Sequence, residues 1–166
     1  MEQSDITFRL QLFDHGLKLG ILKLPDMVSF VDGLIGETDN PDAVLIDLSL
    51  SATVDQAVTN LNQYLEDKAI PDDIGFFLLN ELGKQLESKS LEPKIFISKA
   101  VYVAWNTELN RDIKQDIDQL DDNYFQASEG FGKLTEAEAV TDILKYFEKF
   151  KKYEIEKTCP QHQPSK

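Results

Sequence analysis

Lys94-Ile95-Phe96-Ile97-Ser98-Lys99-Ala100-Val101-Tyr102-Val103-Ala104-Trp105 is the stretch on which the fold class turns. Its β-branched and aromatic residues favour a strand. A strand needs a neighbour to satisfy its backbone, and the segments on both sides carry helical spacing instead. The stretch therefore reads as a central helix buried on most sides.

The spacing on either side supports this. Ile113, Ile117, Leu120 and Tyr124 recur at three- and four-residue steps and predict a helix over 112–127. Val140, Ile143, Leu144, Phe147 and Phe150 predict another over 136–152, with Thr135 and Glu138 as a capping box. Upstream, Ile74, Phe77, Leu78, Leu82 and Leu86 predict a helix over 71–88, opened by Pro71-Asp72-Asp73. Val54, Ala57, Val58, Leu61 and Leu65 form one stripe over 54–66, with Ser51 or Thr53 near its cap. Ala43 to Leu50 follows Asn40-Pro41 and reads as a short buried helix. At the start, Ile6, Phe8, Leu10 and Leu12 alternate as in a strand, whereas Ile6, Leu10, Phe13 and Leu17 share a helix face. The helix is preferred, with Gly16 and Gly20 as stops and Pro25-Asp26 opening the next helix through Leu34. The fold class expected is all-α: an irregular bundle of about seven or eight amphipathic helices. The alternative is a short β element at 6–13 or 94–105. Residues 1–156 read as a single helical domain and 157–166, with two prolines, as a flexible tail.

Composition narrows the function classes. The 166 residues carry 17 basic and 30 acidic side chains, a net charge of −13. Nucleic-acid binding needs a basic face, and an anionic membrane would repel this chain, so neither partner is expected. A basic protein partner is. Met1-Glu2-Gln3-Ser4-Asp5 has no basic or apolar leader character, so no secretory signal is expected. Ile74-Gly75-Phe76-Phe77-Leu78-Leu79 is the longest apolar run and falls well short of the roughly twenty residues of a membrane span. One cysteine, Cys159, cannot form an internal disulfide, which fits the cytoplasm.

Familiar catalytic motifs are missing. There is no phosphate-binding glycine loop, nucleophile elbow, dinucleotide fingerprint or His-Glu-x-x-His. His15, near a helix C-terminus, reads as a complement to the helix dipole. His162 and Cys159 lie in the tail with no fixed partner. Glu129 to Glu138 echoes the second half of a calcium loop, with Gly132 and Glu138 in register. Ala127 and Phe131 would occupy ligand positions, and neither can coordinate a cation. No cofactor, metal or catalytic residue is expected.

The densest local chemistry is acidic. Glu108, Asp112, Asp116, Asp118, Asp121, Asp122 and Glu129 face only Arg111 and Lys114. Smaller acidic groups surround 37–47 and 66–73, while Lys145, Lys149, Lys151, Lys152 and Lys157 gather at the other end. Tyr102, Trp105, Tyr124 and Phe125 sit at helical spacing and read as core, with a binding hot spot as the other option. A docking patch would use Asp112, Asp116, Asp118, Asp121, Asp122, Tyr124 and Glu129. Two alternatives compete with it. One is a divalent-metal-dependent enzyme built on clustered carboxylates, although a second aspartate-rich helix is absent. The other is a structural adaptor subunit, which requires an exposed apolar patch.

Two stretches carry a family resemblance. One is Gly16-Leu17-Lys18-Leu19-Gly20 leading into Pro25-Asp26, followed by Ala43-Val44-Leu45-Ile46-Asp47-Leu48-Ser49-Leu50. The other is Asp121-Asp122-Asn123-Tyr124-Phe125-Gln126-Ala127 with Gly130-Phe131-Gly132. Both resemble the small acidic helical immunity-type proteins of bacterial polymorphic toxin systems. The resemblance implies a cytoplasmic bacterial protein that neutralises a basic toxin domain by binding it. It transfers no catalytic residue.

Overall fold

A computed structural model describes residues 3–68, 71 and 73–155. Eight α-helices and one 3-10 turn occur among these residues, joined by turns and loops, and no strand does. The ambiguous stretches at 6–13 and 94–105 are both helical. The expected tail, 157–166, with Cys159 and His162, lies outside the described residues. The described chain gathers into two compact units, residues 3–68 and 71–155.

The first unit contains α1 (Gln3–Lys18), α2 (Leu24–Gly36), α3 (Ala43–Ser49) and α4 (Val54–Leu65). Each helix packs on the next, and α4 returns to α1. Leu10, Phe13, Met27, Phe30, Leu48 and Leu61 are buried in it, with the Phe13 and Phe30 rings 5.7 Å apart. Gly16 does not end α1, which runs on to Lys18. Its carbonyl instead accepts the Ile21 and Leu22 amides, and Gly20 supplies the left-handed residue (φ 61°) that turns the chain. α3 differs from expectation at both levels. Its N-cap is Asp42, which accepts the Val44 amide, rather than the Asn40-Pro41 pair. Only Leu48 is buried; Ile46 and Leu50 face solvent.

The second unit contains α5 (Ile74–Glu87), α6 (Pro93–Asn106), α7 (Arg111–Ser128) and α8 (Glu136–Phe147), followed by the 3-10 turn Glu148–Phe150. These also pack in order, with α8 and the 3-10 turn closing back on α5. α5 begins at Ile74, three residues past Pro71, with Asp73 at its N-cap. The helix predicted to reach 152 tightens after Phe147. The tighter turn helps seat Phe150 against Phe147 (5.3 Å) and Phe76 (6.1 Å), while Tyr153 stacks on Phe76 at 4.8 Å. The capping box forms as expected: Glu138 accepts the Thr135 amide and Thr135 accepts the Glu138 amide.

Two details of this unit fix the α6–α7 pair. The connection between them spans residues 107–110 and turns α7 back along α6. That connection lies against Gly75 of α5. A Cβ at position 75 would overlap the Thr107 hydroxyl and come within 2.8 Å of Leu109.

α6 is not buried on most sides. Phe96, Ile97, Ala100, Val103 and Ala104 form its buried face, while Ile95, Tyr102 and Trp105 project outward. Helical geometry separates the two sets, since 95, 102 and 105 fall on a different stripe from 96, 100 and 103.

Candidate functional site

α7 carries the acidic cluster. Asn110 caps it by accepting the Ile113 amide at 2.9 Å. Ile117, Tyr124 and Ala127 bury one side, which leaves most of the carboxylates on the remaining surface.

The candidate residues divide by what they touch. Asp116 accepts the Tyr146 hydroxyl at 2.9 Å and lies 3.8 Å from the Lys149 ammonium, so it ties α7 to α8 and the turn after it. Burial, then the bond to Asp116, pushes the Tyr146 hydroxyl well above its ordinary range. The Lys149 ammonium sits 3.5 Å from the Tyr146 ring centroid. Burial holds its pKa below the ordinary value although Asp116 acts the other way. Asp118 accepts the Trp105 indole N–H at 3.0 Å and ties α7 to α6. Asp121 is half-buried; burial raises its carboxyl first, with the neighbouring Asp122 and Asp118 charges adding to the effect. Asp112, Asp122 and Glu129 are exposed.

Tyr124 is 6% exposed and donates its hydroxyl to Glu136 at 2.9 Å. Burial and that bond push it up to about 12. It belongs to the interior and is removed from any partner-facing surface.

The aromatic residues read as core separate in the opposite sense. Tyr102 is 53%, Trp105 57% and Phe125 61% exposed. The sequence held a signal for this. Ile113, Ile117, Leu120 and Tyr124 centre the buried stripe, and Phe125 lies about 110° round from that centre, outside a stripe of ordinary width. On α7 the residues Asp118, Asp122, Phe125 and Glu129 follow one another at i, i+4, i+7 and i+11, which makes a single outward stripe. Trp105 joins this stripe at Asp118.

Other candidates resolve differently. His15 is pushed below its ordinary pKa, by burial first and Lys18 third, against a smaller opposing effect of Asp14. His15 lies in the last turn of α1, as the dipole reading expects, although burial disfavours its charged form; the second basic residue of this turn is Lys18, paired with Asp14 at 2.6 Å. Glu138, in register for a calcium loop, is committed to the Thr135 cap, whose hydrogen bonds lower its pKa. Among the described residues no three His, Cys, Asp or Glu side chains converge as a metal site would require. A recess of about 470 Å³ in the first unit is lined by Asp47, Asp55, Thr59 and Asn60; the Asn60 amide is spent on the Asp47 carbonyl and Ser51. No described helix is long and apolar enough to cross a membrane.

No family model, curated protein or solved structure matches this chain. The chemistry of the α6–α7 face rests on its own residues: exposed aromatic area beside carboxylates that outnumber nearby cations.

Proposed function

We propose that this chain is a non-enzymatic protein-binding module, most concretely an immunity-type inhibitor that captures a basic toxin domain in a bacterial cytoplasm. The observation that carries this reading is the exposed aromatic and acidic face formed by Tyr102, Trp105, Asp122, Phe125 and Glu129. Exposed aromatics supply large contact area at low entropic cost, and the carboxylates steer a cationic partner toward them. The resemblance to immunity-type proteins supplies the partner class and the compartment.

The test is titration of this chain against a basic toxin domain encoded beside its gene, at several salt concentrations. Binding with an association rate that falls as salt rises is expected. Reversing Asp112, Asp122 and Glu129 to lysine should slow association by at least about tenfold and flatten the salt dependence. Asp116 and Asp118 are left intact because they brace the helices. Absence of binding, or an unchanged rate in the triple variant, refutes the reading.

The adaptor reading requires a contiguous exposed apolar patch, which the exposure of Leu50 and Phe131, one in each unit, does not by itself supply. It predicts concentration-dependent self-association in sedimentation, whereas an inhibitor that works as a monomer shows none.

A further inference from the structure

We infer that the α6–α7 face takes an arginine-bearing segment of a basic protein, with one guanidinium stacked on Trp105 and a second on Phe125. This rests on the basic-partner reading and narrows its chemistry.

The indole N–H of Trp105 is already spent on Asp118. The ring is thereby fixed in orientation, and it offers a partner only its π face. That face carries negative potential and attracts cations. The fold uses the same interaction internally: Lys149 lies 3.5 Å from the Tyr146 centroid, and Lys114 lies 5.6 Å from that of Trp105. The second distance is near the outer limit of such contacts, so Lys114 leaves most of this exposed ring open.

Phe125 offers a second ring on the same side. It lies seven residues beyond Asp118 on α7, a rise of about 10 Å. Asp122 stands between the two levels and Glu129 one turn past Phe125; neither side-chain carboxylate has an ion pair or hydrogen bond among the described residues. An apolar partner laid on this stripe would strip water from both carboxylates without replacing it. A cationic partner satisfies them.

Geometry favours arginine over lysine. A guanidinium is planar and can lie flat on a ring while its in-plane N–H groups reach a carboxylate beside it. An ammonium is compact and strongly hydrated; Lys149 does meet the Tyr146 ring and Asp116 together, but at 3.8 Å from the carboxylate and without the paired in-plane hydrogen bonds a guanidinium makes. Two arginines about 10 Å apart correspond to i and i+7 on a helix.

The experiment uses the full chain and two synthetic helical peptides. One carries arginine at i and i+7, the other lysine at the same positions. Trp105 is the sole tryptophan, so its fluorescence reports binding at the site directly. The arginine peptide should bind about four- to twenty-five-fold more tightly, from two contacts of roughly two- to fivefold each. Phe125→Leu keeps an apolar side chain at an exposed position and should remove its share of that preference. Trp105→Leu, followed by anisotropy of a labelled peptide, should remove the other share. Asp122→Asn with Glu129→Gln should weaken both peptides. Equal affinity for the two peptides overturns the arginine assignment; if both still bind in a salt-dependent way, the basic-partner reading survives. A preference that persists in Phe125→Leu and Trp105→Leu also overturns it. Binding of neither peptide overturns the inference, and the toxin-domain titration then decides the broader reading alone.

Discussion

Asp121 shows how a single side chain in this cluster sets a stability that depends on pH. Its carboxyl is raised above the ordinary value of 3.8, chiefly by burial and then by Asp122 and Asp118. The folded state therefore holds the proton more tightly than the unfolded chain. The stabilisation from this group is complete below about pH 3.8 and is lost as pH rises through the raised value. At neutral pH the charged carboxylate opposes folding. Asp121→Asn should melt higher than the parent at pH 7, with the gap closing as pH falls toward 3.8. Equal melting temperatures at pH 7 would contradict this. Helical spacing places Asp121, four residues past Ile117, beside the buried stripe and Asp122 outside it, but how far Asp121 is desolvated depends on where the neighbouring helix lies. The same holds for Asp116 and Asp118, whose partners Tyr146 and Trp105 sit 30 and 13 residues away. Phe125 was legible too, since the stripe of Ile113, Ile117, Leu120 and Tyr124 is centred about 110° away from it.

At the scale of single elements, periodicity was a good guide where a stripe was clear and capped. The α8 start was readable from Thr135 and Glu138 because a capping box is a local device. Its end was not, because the tightening after Phe147 accompanies the packing of Phe150 and Tyr153 against α5, a distant element. Helix ends also hold a testable strain. α5 closes with the Lys89 amide on the Leu86 carbonyl and the Ser90 amide on the Gln85 carbonyl, the arrangement that also ends α1 and α7. There the left-handed residue is glycine (Gly20 and Gly130), but at α5 it is Lys89, with φ 56°. A side chain in that conformation costs about 1–2 kcal/mol, part of which glycine returns through the entropy of the unfolded chain. Lys89→Gly should stabilise the protein by roughly 0.5–1 kcal/mol in chemical denaturation. A loss of stability would show that the Lys89 side chain makes a compensating contribution.

For the whole molecule, the sequence conveyed helical class and charge, because both are sums over many residues. The division into units of 3–68 and 71–155 was harder to see. The intervening Asp67-Lys68-Ala69-Ile70-Pro71 has no glycine- or serine-rich linker character, and its proline reads as a helix start. The net charge of −13 has a global consequence. Like charges repel across the folded surface, and raising monovalent salt from about 0.01 to 0.1 M shortens the screening length from about 30 to 10 Å. Exposed ion pairs such as Lys84–Glu154 weaken in salt as well, but each contributes only about 0–1 kcal/mol. The melting temperature should therefore rise over this range; a fall would mean that attractive pairs outweigh the repulsion. Gly75 belongs to this scale too. Gly75→Ala should cost about 1–3 kcal/mol through overlap with Thr107 and Leu109. In a genetic screen for lost partner recognition, lesions would then arise at 75, on a helix that supplies no residue to the face. Suppressors of those lesions should map to 107 or 109, where a smaller side chain restores the room that the missing Cβ had left.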